Sequence, residues 1–185
     1  MNFIDIKRYW FLTWTTYGTW LPGDKRGYVG TASDETGRSV NHNQPGTPPA
    51  APNPQLRESI ERALKCPPIR LTSAQAMALH DQFLETTRIR GWLLIAVAMM
   101  RTHLHLVIGV PDDPDPEKVL GDLKAYGSQC LNRQGSKPPS DTWWTTGGST
   151  RKLPDERSIE AAIHYIRNQP NALFIWTRED GVIDQ

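Results

Sequence analysis

The sequence predicts an α+β fold, an antiparallel sheet with helices on one face. Three observations predict it. Strand-like runs alternate with long helical patterns along the chain. Two apolar runs, "WLLIAVAMM" (92–100) and "HLHLVIGV" (103–110), are separated only by Arg101 and Thr102, which reads as a hairpin. The helical patterns carry recognisable start and stop residues.

Taken in order, "RYWFLTWTTY" (8–17) is aromatic and β-branched and ends at Gly18, a strand signal. "GTWLPGDKRGYVG" then supplies turn chemistry. From about 22 to 68 the chain is rich in Pro and Gly, an insert within what reads as one domain over 1–185. An insert of that length is expected to be functional, ordered by ligand or disordered, with "LRESIERALKC" as a short helix inside it. "LTSAQAMALHDQFLETTRIRG" opens with Thr72 or Ser73 as cap and Gln75 close behind, and stops at Gly91. After the hairpin, "PDDPDP" breaks the chain and a second helix runs over 117–134. "DTWWTTGGSTRKL" (141–153) reads as a short strand with a Gly-Gly turn. "PDERSIEAAIHYIRNQ" has a proline and an acidic first turn, and Pro170 stops it. This order suits a ferredoxin-like sheet with helices on one face, the last helix being an addition to the core fold.

Composition narrows the class. No apolar run approaches the roughly 20 residues that span a bilayer, and the start lacks a signal peptide's apolar core, so a cytoplasmic protein without a membrane role is expected. Cys66 and Cys130 stand far apart in no metal-knuckle spacing. The net charge of +1 excludes a uniformly basic nucleic-acid binder, so any such binding needs a local patch.

The pattern that carries chemistry is "HLH". Alternation along a strand points His103 and His105 to one face and Leu104 to the other. Two imidazoles are half of a metal site. In the last helix Tyr165 and Gln169 are four apart and so share a helical face. If that face looks at the histidine strand, Gln169 supplies a third ligand and Tyr165 a phenolic nucleophile beside the ion. Oxygen donors suit harder ions such as Mg2+ or Mn2+. Such a constellation fits phosphodiester cleavage through a phosphotyrosine.

At these residues the chain resembles the REP-associated tyrosine transposases of the HUH (His-hydrophobic-His) superfamily. The resemblance runs through "YWFLTWTTYGTWLPGD", "RGW…AVAMMRTHLHLVIGV", "LKAYGSQCLNR", "WWTTGGSTRKL" and "IEAAIHYIRNQP" in the family's order. It implies a ferredoxin-like fold, a homodimer (or else a monomer), and single-stranded hairpin DNA as partner, with the protein nucleoid-associated. It implies a nick dependent on Mg2+ or Mn2+ that leaves a 5′-phosphotyrosine and a free 3′-hydroxyl, followed by strand transfer. By position it matches His103, His105 and Gln169 to metal ligands and Tyr165 to the nucleophile. The Pro-rich insert and the Arg101-Thr102 pair before the first histidine depart from the family pattern.

Competing readings stand beside these. Tyr126, also on a helix, competes with Tyr165 but reads better as a packing residue. His80, His42 and His164 carry no partner pattern and read as surface residues. Trp20, Lys25, Arg26, Arg151, Lys152 and Arg167 are the candidate DNA contacts, with Lys124 and Arg133 as further phosphate candidates. Trp14, Trp143 and Trp144 are possible base-stacking platforms, Trp14 equally a core residue. The alternative functions are a domesticated protein that binds hairpin DNA or RNA without cutting, and a hydrolase of small phosphoesters.

Overall fold

Alternating large apolar and polar residues give the first strand, β1 (Arg8–Thr15), two different faces. Trp10, Leu12 and Trp14 enter one core, while Tyr9 and Phe11 pack into another. The computed structural model describes residues 5–28, 30–33, 37–42, 47–135 and 137–183. After β1 come a short hairpin, β2 (Thr31–Ser33) and β3 (Ser39–Asn41), and helix α1 (Pro54–Arg62). Then follow α2 (Ser73–Arg90), β4 (Leu93–Met99), β5 (His103–Val110) and α3 (Pro116–Gln134). The chain ends with β6 (Ser149–Leu153), α4 (Glu156–Arg167), β7 (Phe174–Thr177) and β8 (Gly181–Val182).

The main sheet has the order β6-β1-β5-β4-β7-β8, and its neighbours are antiparallel. The path β1-α2-β4-β5-α3-β6 is the ferredoxin-like connection, which places β1 and β5 at the centre of its four strands. The local signals account for most boundaries. Thr72 and Gln75 form a reciprocal capping box, and Gly91 ends α2 in the left-handed conformation at φ 66°. Asp155 and Ser158 make a second capping box at the start of α4.

Three features differ from the sequence reading. The β7–β8 hairpin was not expected, although "FIWT" is an aromatic, β-branched run; Pro170 ends the helix but does not end the sheet. The 141–153 stretch is continuous strand only from Ser149: the Trp143 and Trp144 rings turn inward, and Trp144 keeps a single antiparallel bridge to Thr16. The insert contains regular structure over its described part, including the expected helix, and Lys65 N–H ties it to the Tyr17 hydroxyl just beyond β1 at 3.0 Å. Asn53 N–H donates to Gly23 O at 3.1 Å, and a Cβ on Gly23 (φ +84°) would collide with Asn53 O.

Helices α2 and α3 cover one face of the sheet and α4 covers the other. The bulge between Leu94 and Ala96 lets neighbouring Ile95 and Ala96 both serve the α4 side. Among the described residues no helix is long and apolar enough to cross a membrane.

Candidate active site on the histidine face

The site is assembled from the two central strands and the helix lying over them. On β5, His103 and His105 face α4 while Leu104 and Leu106 enter the opposite core. Thr13 and Thr15 of β1 stand directly across from His105 and His103 in the ladder. The imidazoles contact each other with centroids 5.1 Å apart. Phe11 stacks on His105 at 5.4 Å and an interplanar angle of 13°. Tyr165 comes down from α4 edge-on to both, 5.3 Å from His105 and 5.8 Å from Phe11.

Tyr165 reaches this position because α4 buries a narrow stripe. Ile166 is its one fully buried residue, and Ile159, Ala162 and Ile163 pack beside it. The next position round the helix leaves Tyr165 at the edge of the contact, 49% exposed. The helix itself ends at Arg167, not beyond Gln169. Gln169 is buried and remains one turn below Tyr165, because its Nε2 donates to Tyr165 O at 3.1 Å. That bond directs the amide nitrogen to the helix end, and the amide oxygen is the ligand-type atom.

Both histidines are held neutral. Burial pushes the His105 imidazole down to about 3, and His103 nearby adds to the effect. Burial also lowers His103, reinforced by the positive charge of Arg26. Each Nδ1 has a hydroxyl partner: Thr13 Oγ1 lies 2.8 Å from that of His105, and Thr102 Oγ1 lies 3.0 Å from that of His103. Neither Nε2 is hydrogen-bonded among the described residues, so each ring keeps one nitrogen suited to a metal. Two neutral imidazoles and an amide oxygen are a donor set that fits a divalent ion. Among the described residues no cluster of three or more His, Cys, Asp or Glu exists, so Gln169 would be the third protein ligand.

A basic loop stands beside His103. The Asp24 carboxylate, almost fully buried, accepts from Arg26 Nε and Nη2 at 2.8 Å each and from the Arg26 backbone N–H at 3.0 Å. The Arg26 side-chain hydrogen bonds are the main reason Asp24 titrates at about 2. Arg26 also donates to Thr19 O at 3.0 Å and covers the Trp20 ring at 5.3 Å. Thr19 Oγ1 in turn donates to Thr102 O at 3.1 Å, which stitches the loop to the residue before His103. Trp20 is half-buried and Lys25 is exposed.

The remaining candidates separate. Arg151 and Lys152 are both exposed on edge strand β6, but they alternate: Arg151 pairs with Phe11 on the histidine face and Lys152 with Trp10 on the other side. Arg167 forms ion pairs with Glu179 at 2.9 Å and Asp180 at 2.5 Å, linking α4 to the β7–β8 turn. Lys124 is a clamp rather than a free cation, since Nζ donates to Thr145 O and Gly147 O, both at 2.7 Å. Arg133 donates to Gln82 Oε1 at 2.6 Å and so joins α3 to α2. Trp14, Trp143 and Trp144 are buried in the α2/α3 core and offer no stacking surface. Tyr126 lies on α3, which packs on the opposite face from the histidines, and Arg90 covers its ring at 5.8 Å. His80, expected at the surface, is 8% exposed between Phe174 and Trp176. His164 is exposed.

Sequence reasoning did not single out Phe11, Thr13 or Asp24. The first two carry a detectable signal: they alternate with Trp10, Leu12 and Trp14 and so must face the other side of β1.

A family model described as "Transposase IS200 like" matches residues 70–169, more than half of the chain and the whole span from α2 to Gln169. The chain belongs to the IS200-like transposase family. The matched segment contains His103, His105, Tyr165 and Gln169, so a transposase-like function follows from the family. Two solved structures are similar. One is a REP-associated tyrosine transposase bound to a REP hairpin, with a TM-score of 0.49 and 11% identity over 90% of this chain and 68% of that one. The other, a provisional transposase from Deinococcus radiodurans R1, has a TM-score of 0.46 and 16% identity over 91% of this chain and 96% of that one. No curated protein matches the chain.

Proposed function

We propose that this IS200-like transposase nicks and rejoins single-stranded hairpin DNA through Tyr165, with Mg2+ or Mn2+ held by His103, His105 and Gln169. The observation that carries the reading is the half-exposed Tyr165 standing edge-on to buried, neutral His105, with half-buried His103 against it. The bound ion would offset the charge of the scissile phosphate and polarise its phosphorus. The Tyr165 oxygen attacks that phosphorus and loses its proton to solvent, to which the ring edge is open. The P–O3′ bond breaks as the Tyr–O–P bond forms, and the departing 3′ oxygen takes up a proton. The products are a 5′-phosphotyrosine and a 3′-hydroxyl, and the reverse attack by a 3′-hydroxyl rejoins the strand without an external energy source.

Trp20, Lys25, Arg26 and Arg151 contact the strand and its phosphates in this reading, whereas Lys152 alternates to the face away from the histidines. Arg26, fixed by buried Asp24 and with its guanidinium over the Trp20 ring at 5.3 Å, is the best organised of them. Arg167 is left to its two carboxylates. The reaction belongs with chromosomal DNA in the cytoplasm, and the working assembly is a homodimer, with a monomer as the alternative that light scattering distinguishes. A second reading, a hairpin DNA- or RNA-binding protein that does not cut, is favoured by one observation: no acidic side chain or third histidine joins the pair among the described residues.

The test is covalent capture. Wild type and Tyr165→Phe are incubated with labelled single-stranded hairpin oligonucleotides and Mn2+ or Mg2+, then resolved on a denaturing gel. A metal-dependent protein–DNA band absent from Tyr165→Phe is expected. Hairpin binding by the wild type with no covalent band would establish the second reading instead.

A further inference from the structure

We propose that Thr13 and Thr102 are positioning residues for the metal site: each accepts a hydrogen bond from a histidine Nδ1–H and so presents the opposite nitrogen, Nε2, to a divalent cation. The inference rests on the metal role given above to His103 and His105.

Geometry supports it at both histidines independently. Thr13 Oγ1 lies 2.8 Å from His105 Nδ1 across the β1–β5 ladder, where the two residues are directly paired. Thr102 Oγ1 lies 3.0 Å from His103 Nδ1 within the β4–β5 turn. One hydroxyl comes from a neighbouring strand and the other from the adjacent residue, yet both engage the same ring nitrogen. A neutral imidazole donates from one nitrogen and accepts at the other, so what Nδ1 does decides whether Nε2 can ligate. Phe11, stacked on His105 at 5.4 Å, holds the plane in which that ring lies.

The chemistry of the partner also matters. A carboxylate at Nδ1 would favour the imidazolium and keep the ring protonated to higher pH. A hydroxyl is neutral, so it orients the ring while leaving it uncharged in a buried setting. Thr102 is itself held: its carbonyl accepts from the Thr16 backbone N–H at 2.9 Å and from Thr19 Oγ1 at 3.1 Å. The loop bearing Arg26 is thereby connected through Thr19 and Thr102 to His103.

The experiment uses the full chain labelled with 15N, and it reads the tautomer of each histidine by long-range 1H–15N correlation in EDTA. Titration calorimetry with Mn2+ gives affinity separately from catalysis. Wild type is expected to carry the proton on Nδ1 of both rings. Thr13→Val should shift His105 toward the other tautomer and weaken Mn2+ binding about 10-fold, within the range typical of lost outer-shell partners. Thr102→Val should do the same at His103, and Thr13→Ser should restore the wild-type values. A wild-type ring protonated at Nε2 overturns the proposal, with no variant needed. So do valine variants that keep wild-type tautomers and affinity. His105→Ala is the control for the underlying reading: Mn2+ binding unchanged in that variant, or absent from wild type, removes the metal site itself.

Discussion

The sheet has two covered faces, and they are packed to different standards. Under α2 and α3 lie Trp14, Phe83, Leu79, Leu104, Leu106 and Ile108, all at 0–1% exposure. Helix α2 there contributes a broad buried surface, and Gly127 of α3 brings the two helices close, since a Cβ on it would press on Leu79 Cδ2 at 3.1 Å. Under α4 the buried residues are fewer and smaller, among them Ala96, Ala98 and Val107, and two histidines and two threonines occupy the end of the face. One fold thereby divides stability and chemistry between its two faces. Large apolar side chains can be concentrated on one side so that the other can hold polar, ligand-competent groups close to solvent.

The sharpest break between the faces is expected from Tyr165→Phe. Adduct formation should fall by at least about 10³-fold, since no other group replaces a nucleophile, with unfolding free energy changed by less than about 0.5 kcal/mol. Adduct yield and a urea curve on the same preparation check both halves. The converse substitution, Phe83→Ala, should cost about 3–5 kcal/mol by cavity formation. Adduct formation per folded molecule should stay at the wild-type level, as measured at a temperature where the variant is still native.

A third effect depends on pH. The His105 imidazole titrates at about 3 in the folded protein, below its ordinary 6.5. As pH falls, the unfolded chain binds this proton first, so stability is whole above about 6.5 and declines towards 3. The slope approaches about 1.4 kcal/mol per pH unit for this one group. His105→Asn should flatten that slope in urea unfolding series run in EDTA between pH 7 and 4. A steeper loss in the variant than in wild type would contradict the burial argument.

The smallest effect concerns the loop beside the site. Asp24→Asn removes the charge that fixes Arg26, whose own side chain is 53% exposed. The stability change should be about 1.5–3 kcal/mol, as for hydrogen bonds to a charged group, here a buried carboxylate. Affinity for single-stranded DNA should drop several-fold and become less dependent on salt, which fluorescence anisotropy across salt concentrations would show.

Legibility followed the range of the interactions. The order of strands and helices could be read from turn residues and caps, because Thr72, Gln75, Gly91 and Asp155 act within a few residues of themselves. The β7–β8 hairpin was missed because each strand is short and only the pairing of β7 with distant β4 anchors it to the sheet. Trp143, Trp144 and His80 were misjudged for a related reason. A tryptophan beside Gly-rich sequence carries no local mark of whether α3 lies on top of it, and His80 is covered by Phe174 and Trp176 from the far end of the chain.

At the candidate site, His103 and His105 share a face whatever the rest of the fold does, since alternation along a strand is a property of the backbone. Gln169 stays one turn from Tyr165 although α4 ends at Arg167, because its amide closes back on Tyr165 O. Tertiary structure alone decided that α4 lies on the histidine face and α3 on the other, which brings Tyr165 and not Tyr126 to the imidazoles. The physical reason is that a helix is placed by the apolar surface left uncovered on the sheet, and that surface is made by strands from the whole length of the chain.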